Sequence, residues 1–330
     1  MTDKSSQSHT SPADSAYDGQ NTLAQRLFPA SADPYIRLLR LDRPIGTWLL
    51  AWPALWGLAF AYHSQLVSPN PTNDPWSAPV LFGLFLIGAF LTRSAGCVFN
   101  DIADRKIDAQ VARTKERPIA SGAISVKTAL FILAVLLLGA ALILFQMNWL
   151  TIYLGLFIII PILIYPFMKR FTYYPQAMLA LCFSWGALMG WTAVTNQNEP
   201  AGLLVTLAAF AWTMGFDTIY AHQDKQDDAV IGMKSTALKF GDATKPWLIV
   251  FYTITLVSLL IAGALVGTKV IFFTSLAMAS LHASWQISTL NINNPANCLT
   301  RFRANGLFGL IILVGICLDL GMATLMSEVQ

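Results

Sequence analysis

The 330-residue sequence predicts an all-α polytopic membrane protein, with about nine transmembrane helices around a central cavity. Three observations predict it. Hydrophobic residues make up 55% of the chain and charged ones only 12%, against about 25% charged in an average soluble domain. Nine segments each supply the roughly 20 mostly apolar residues that a bilayer crossing needs. Lipid offers the backbone no hydrogen-bond partner, so such segments must be helical. Finally, with nine spans, Lys and Arg gather on one side of the membrane.

Residues 1–34 come first. They are rich in Ser, Asp, Gln and Thr and lack the apolar core of a signal peptide, and Asp3, Asp14 and Asp18 argue against an acid-poor transit peptide. They read as a disordered tail ahead of a membrane domain at 35–330. In segment 44–63, Trp48, Trp52 and Trp56 recur every four residues, as helix packing or as a wall for a lipid chain. A Pro-rich link at 69–79 leads into 79–98, which holds Arg93 and runs on into NDIADRKID at 100–108. Segments 128–146 and 149–167 follow, the second ending in Tyr165-Pro-Phe-Met-Lys169-Arg170. After 175–195 and 201–221 comes DTIYAHQDKQDD at 217–228. Segments 246–267, 270–290 and 305–326 complete the set, with an Asn/Pro loop at 291–297. Asp319 stands alone in the last segment, where a helix–helix hydrogen bond is expected.

Of 21 basic residues, 19 fall on one side, Lys269 on the other, and Arg93 within a helix. The positive-inside rule makes the charged side cytoplasmic, with the N-terminus and both aspartate clusters. With no leader read in 1–34, a bacterial cytoplasmic (inner) membrane is expected. A net charge of +3 without a basic stripe excludes a nucleic-acid partner. The four cysteines are far apart and form no CxxC, so they read as small buried hydrophobes; no His/Cys set around His222 suggests zinc.

The two polar clusters carry the chemistry. They hold seven of the 18 acidic residues: Asp101, Asp104, Asp108, Asp217, Asp224, Asp227 and Asp228. At 3.6 residues per turn, Asn100, Asp104 and Asp108 share one helix face, as do Asp217, Asp224 and Asp228. Asp101 and Asp227 sit off those faces, in solvating or orienting roles. Like charges four apart repel, so two acidic faces bordering hydrocarbon need a cation between them. A divalent metal holding a polyphosphate fits, and Mg²⁺ with its preference for oxygen ligands is the expected cofactor. Solvated loops with helix caps are the plainer alternative.

At these residues the chain resembles the UbiA family of intramembrane prenyltransferases. The first cluster matches the family's NDxxDxxxD pattern, followed by Arg113-Thr and Arg117-Pro; Asp224 and Asp228 match its DxxxD element, and Tyr165 with Lys169 its YxxxK element. The resemblance runs from about residue 35 to the C-terminus. Leu41-Asp-Arg-Pro-Ile-Gly, Ile164-Tyr-Pro-Phe-Met-Lys-Arg and Gly232-Met-Lys-Ser-Thr-Ala look closest to the branch that prenylates 4-hydroxybenzoate for ubiquinone biosynthesis. It implies a nine-helix prenyltransferase fold and Mg-dependent transfer of a polyprenyl group from polyprenyl diphosphate to the ring carbon ortho to the acceptor's hydroxyl. Asp104, Asp108, Asp224 and Asp228 would be the metal ligands, with Asn100 and Asp217 supporting them. Lys169, Arg170 and Arg117 would neutralise the departing diphosphate, with Tyr165 nearby. Lys169 and Arg170 also suit a topology anchor. For the acceptor carboxylate, Arg43 and Arg93 are available; Arg93 lies seven residues before Asn100, on roughly the same face. An ion pair or snorkelling is its alternative role.

Haem O synthase and homogentisate prenyltransferase share the aspartate motifs and are the rivals within the class. CDP-alcohol phosphotransferases also use membrane Asp and Mg²⁺, but their Asp-Gly…Ala-Arg order fails at Asp104-Arg105. A membrane transporter would place its polar groups near the midplane, whereas these carboxylates sit at one surface.

Overall fold

The computed structural model describes residues 22–68, 77–110, 114–230 and 232–328. Among them nine helices are long and apolar enough to cross a membrane. They are α1 (Ile45–Val67), α2 (Ala78–Asp108), α3 (Val126–Leu144), α4 (Trp149–Phe171), α5 (Pro175–Thr195), α6 (Pro200–Ala221), α7 (Thr244–Val266), α8 (Val270–Thr289) and α9 (Pro295–Glu328). Consecutive helices are neighbours and α9 returns to α1, closing a ring that α1, α5 and α6 also bridge across its middle.

Local chemistry sets the ends. Pro175 and Pro200 occupy the first helical position of α5 and α6, where a missing N–H costs nothing. Ser125 and Asn148 accept the backbone N–H of Thr128 and Thr151 at 3.1 and 3.0 Å and so cap α3 and α4. The apolar run underestimates two helices. α2 continues through all of the first aspartate cluster to Asp108, and α9 starts at Pro295 rather than near 305. Hydropathy ends where lipid ends, while the helical ladder continues into the surface layer. In α4 the helix breaks at Ile158. Pro161 cannot donate to the carbonyl of Phe157 and crowds it.

Of the stretch assigned to a disordered tail, residues 1–21 lie outside the described residues. Residues 22–34 depart from that expectation. Thr22 and Gln25 form a capping box that starts a short helix, Leu23–Leu27, and Gln25 Nε2 donates to Asp33 Oδ1 at 2.8 Å. Local polar pairing gives order here where apolar content is low.

The interior is aromatic. Trp56, Trp191, Trp212, Phe60, Phe216, Phe272 and Phe308 are fully buried, and the indole of Trp56 donates to Gly309 O at 3.0 Å. The tryptophan stripe divides by function. Trp56 and Trp52 are buried, whereas Trp48 is 43% exposed and stacks on Trp52 with ring centroids 4.9 Å apart. Helices α1 and α5 touch backbone to backbone. A Cβ at Gly57 would run into the Ala187 carbonyl, and one at Gly190 into that of Ala54. Such small-residue contacts replace the hydrophobic drive that lipid removes.

Asp319 does more than the expected single helix–helix bond. It is 1% exposed and accepts the backbone N–H groups of Lys269 at 2.8 Å and Phe272 at 3.3 Å, capping α8 from α9. His63 Nε2 lies 3.0 Å from Asp319 Oδ2, and His63 Nδ1 lies 3.1 Å from Val266 O. A carbonyl only accepts, so Nδ1 donates to Val266 O. One carboxylate thus ties α1, the α7–α8 turn and α9 together at the end remote from the aspartate clusters. Asp319→Ala leaves buried donors unmet, and a loss of about 3–5 kcal/mol is expected. It is read as a lowered unfolding temperature of the detergent-solubilised protein. Asp319→Asn, which keeps one accepting oxygen, should lose less; an unchanged transition in both variants would refute the clamp.

Candidate active site at the charged membrane surface

The last turns of α2 present Asn100, Asp101, Asp104 and Asp108. Asp101, expected to solvate or orient from off the main face, is instead the most deeply buried of the first cluster, at 1% exposure. Its two oxygens accept Arg40 Nη2 at 2.9 and 3.1 Å, and Oδ1 also accepts Arg117 Nη1 at 3.2 Å. The same Arg117 nitrogen donates to Asp108 Oδ2 at 2.9 Å. Arg117 therefore bridges two carboxylates of its own cluster. Arg40 has φ 58°, a left-handed conformation that an arginine adopts at a cost of about 1 kcal/mol or more. It ends the short helix Asp33–Leu38, and Leu41 N–H returns to Ile36 O at 2.9 Å. Its ion pair with Asp101 holds the backbone there.

The second cluster is arranged differently. A cavity of about 50 Å³ is lined by Tyr165, Lys169, Pro175, Gln176, Asp217, Tyr220, Ala221, Asp224 and Asp228. Lys169 and Arg93 both act electrostatically on Asp217. The loop after the cluster docks on the end of α4, where Lys234 N–H donates to Lys169 O at 2.9 Å. Between the clusters lies Arg170, whose Nη2 is 3.7 Å from Asp104 Oδ1. Thus the Tyr165–Arg170 element serves both acidic groups, with Lys169 lining the cavity of the second and also acting on Asp104 of the first.

His222 ends α6 and its Nε2 pairs with Thr244 Oγ1 at 2.8 Å. Burial, with Lys225 nearby, pushes its imidazole down to about 4, so it is neutral near pH 7 and adds no cation to the site. Arg93 lies against α1, and a Cβ at Gly46 would sit 2.9 Å from its Nε. Beside it, an apolar groove of about 320 Å³ between α1 and α2 is lined by Thr47, Trp48, Ala51, Leu86, Ile87 and Phe90. Arg43 is 45% exposed in its side chain and pairs with Asp42 at 3.1 Å. Arg113 lies outside the described residues, as does the side chain of Asp227.

The donor set suits Mg²⁺, since the carboxylates of Asp217, Asp224 and Asp228 are hard oxygen ligands around one small cavity. Among the described residues no three His, Cys, Asp or Glu side chains converge as a ready-made cage. That matches how Mg²⁺ binds beside phosphate, through one or two carboxylates plus phosphate oxygens. Sequence reasoning missed Arg40 and Gln176. A lone arginine and a lone glutamine form no motif, and only their burial beside aspartates marks them.

The chain is 42% identical over 302 residues to the Caenorhabditis elegans protein named 4-hydroxybenzoate polyprenyltransferase, mitochondrial, covering 91% of this chain and 81% of that one. It is 44% identical over 293 residues to the Arabidopsis thaliana protein of the same name, covering 88% and 69%. The expected bacterial cytoplasmic membrane is corrected by these names, which belong to mitochondrial enzymes of eukaryotes; the multi-pass character stands. Charge bias and apolar length report how a chain sits in a bilayer, not which bilayer it is. Among solved structures, the UbiA homologue of Aeropyrum pernix K1 superposes with a TM-score of 0.67 at 23% identity, covering 81% of this chain and 97% of that one. The Archaeoglobus fulgidus homologue bound to GPP and Mg²⁺ gives 0.61 at 19%, covering 87% and 99%. Residues 50–312 match the model of the UbiA prenyltransferase family, and the chain belongs to that family.

Proposed function

We propose that the chain transfers a polyprenyl group from polyprenyl diphosphate to 4-hydroxybenzoate, at the ring carbon ortho to the hydroxyl, in ubiquinone biosynthesis. Residues 35–330 act as the prenyltransferase domain. The observation that carries this reading is the cavity where Asp217, Asp224 and Asp228 meet Tyr165 and Lys169 at the charged membrane surface. The names of the relatives at 42–44% identity support the acceptor.

Asp224 and Asp228 would hold Mg²⁺, and Asp217 and Asn100 would support them. Asp104 and Asp108 complete the metal site from the α2 side. In the structure those two face Arg170 and Arg117, so an incoming anion has cations within reach that are now shared with carboxylates. Mg²⁺ held there would neutralise the diphosphate and make it a better leaving group. Lys169, Arg170 and Arg117 donate to oxygens on which charge grows as the allylic C–O bond breaks. Tyr165 stands beside them. The allylic cation is attacked by the ring carbon ortho to the phenol, and loss of the proton on that carbon restores the aromatic ring. Arg93 binds the acceptor carboxylate; Arg43 is the second candidate for that role. The polyprenyl chain lies in membrane lipid and in the groove at Trp48 and Phe90, close to Arg93. No feature favours a transporter, because the carboxylates lie at one surface.

Two measurements test this. Asp224→Ala should lower prenyl transfer by at least about 100-fold while leaving a folded membrane protein, and chelation of Mg²⁺ should arrest the wild type. Full activity in excess EDTA would remove the metal from the scheme. Arg93→Ala should raise KM for 4-hydroxybenzoate by roughly 10- to 150-fold, with KM for the diphosphate little changed, since a charge-assisted hydrogen bond contributes about 1.5–3 kcal/mol. Arg93→Lys should recover only part of this, because lysine lacks the bidentate fork. A defect confined to the diphosphate would reassign Arg93 to the leaving group.

A further inference from the structure

One buried amide in the cavity has no part in the scheme above. Gln176 is the second residue of α5, follows Pro175, and is 3% exposed. It lines the same cavity as Lys169, Asp217, Asp224 and Asp228. Its Oε1 accepts the backbone N–H of Thr236 at 3.0 Å. A backbone N–H only donates, so this contact settles which end of the amide is oxygen. Thr236 is itself held, its hydroxyl 2.8 Å from that of Thr218 on α6. The amide is thus anchored by its oxygen, and its nitrogen, with two N–H donors, is left for whatever fills the cavity.

We infer that Gln176 Nε2 donates a hydrogen bond to the diphosphate of the prenyl donor; this rests on the prenyl-transfer reading of the cavity. The residue type follows from its neighbours. An arginine here would pair with Asp224 or Asp228, as Arg117 pairs with Asp108 at 2.9 Å, and would compete with a metal for those oxygens. An amide contributes donors without adding a charge that would compete with a metal for the carboxylates. It also stays a donor at every pH near neutral. Gln176 is then a substrate-binding residue beside Lys169, one supplying a neutral hydrogen bond and the other a positive charge.

The two ends of the amide can be separated by substitution. Gln176→Glu keeps an oxygen for Thr236 N–H and removes the donor. Gln176→Met, neutral and of similar length, removes both. Inhibition by inorganic pyrophosphate with Mg²⁺, KM for the prenyl diphosphate and KM for 4-hydroxybenzoate are measured on the full chain in membranes. Gln176→Glu is expected to weaken pyrophosphate inhibition and raise KM for the prenyl diphosphate about tenfold or more, with KM for the acceptor within about twofold of wild type. Gln176→Met should show the same split, which keeps the test valid should the added charge of Glu unfold the chain. Wild-type pyrophosphate inhibition in both variants, or equal rises in both KM values, would overturn the inference and leave Gln176 as an anchor for the 235–240 segment. A wild-type chain that neither transfers prenyl groups nor responds to pyrophosphate would instead bring down the reading of the cavity and the inference with it.

Discussion

A carboxylate that has lost its water must be paired, and Asp101 imposes that requirement on the charged end of the bundle. Its 1% exposure obliges two guanidiniums to converge on it, Arg40 from the segment before α1 and Arg117 from the loop after α2. Much follows from that convergence. Arg40 is held in a left-handed conformation, which turns the chain from the helix Asp33–Leu38 towards α1. Arg117 is drawn across to Asp108, which fixes the last turn of α2. With α1 and α2 so related, Gly46 faces Arg93 closely enough that even a methyl group would crowd the guanidinium.

The two acidic groups are solved by opposite means. In the first, Arg40, Arg117 and Arg170 stand against Asp101, Asp104 and Asp108, so charge is balanced by the protein. In the second, Asp217, Asp224 and Asp228 line a cavity together with Lys169, and Arg93 acts on Asp217 as well. The first group joins its carboxylates to arginines directly, whereas the second arranges its carboxylates around open space.

Much of this was legible in the sequence, for physical reasons that differ by feature. The nine spans could be read because lipid enforces a minimum apolar length and forbids unpaired backbone. Asp217, Asp224 and Asp228 do line one cavity, but not as the single helix face that the spacing predicts: α6 ends at Ala221 and Asp228 lies in a separate short helix, Lys225–Val230, so the turn between them, and not the helical repeat, brings them together. The burial of Asp101 could not be read, since periodicity gives a direction around the helix but not the depth at which that direction is buried. Asp319 was opaque because His63, Val266, Lys269 and Phe272 come from three other parts of the chain. The continuation of α2 and α9 past their apolar runs escaped hydropathy, which measures fit to lipid rather than helicity. Trp48 parted from Trp52 and Trp56 because a four-residue repeat drifts around the helix, and only two of the three rings reach the core.

The two ends of the bundle show what binding demands of a fold. At the end held by Asp319, two backbone donors and one imidazole meet a single carboxylate. Between the ends, α1 and α5 touch backbone to backbone at Gly57 and Gly190, which leaves little freedom for either helix to shift. At the other end, the second residue of α5, Gln176, has an amide that is half committed, its oxygen bound to Thr236 and the residue lining the cavity. Polar groups buried with incomplete partners are costly in a resting protein. They persist where a rigid frame holds them apart and a ligand of complementary charge completes them, and the cavity beside Lys169 meets both conditions.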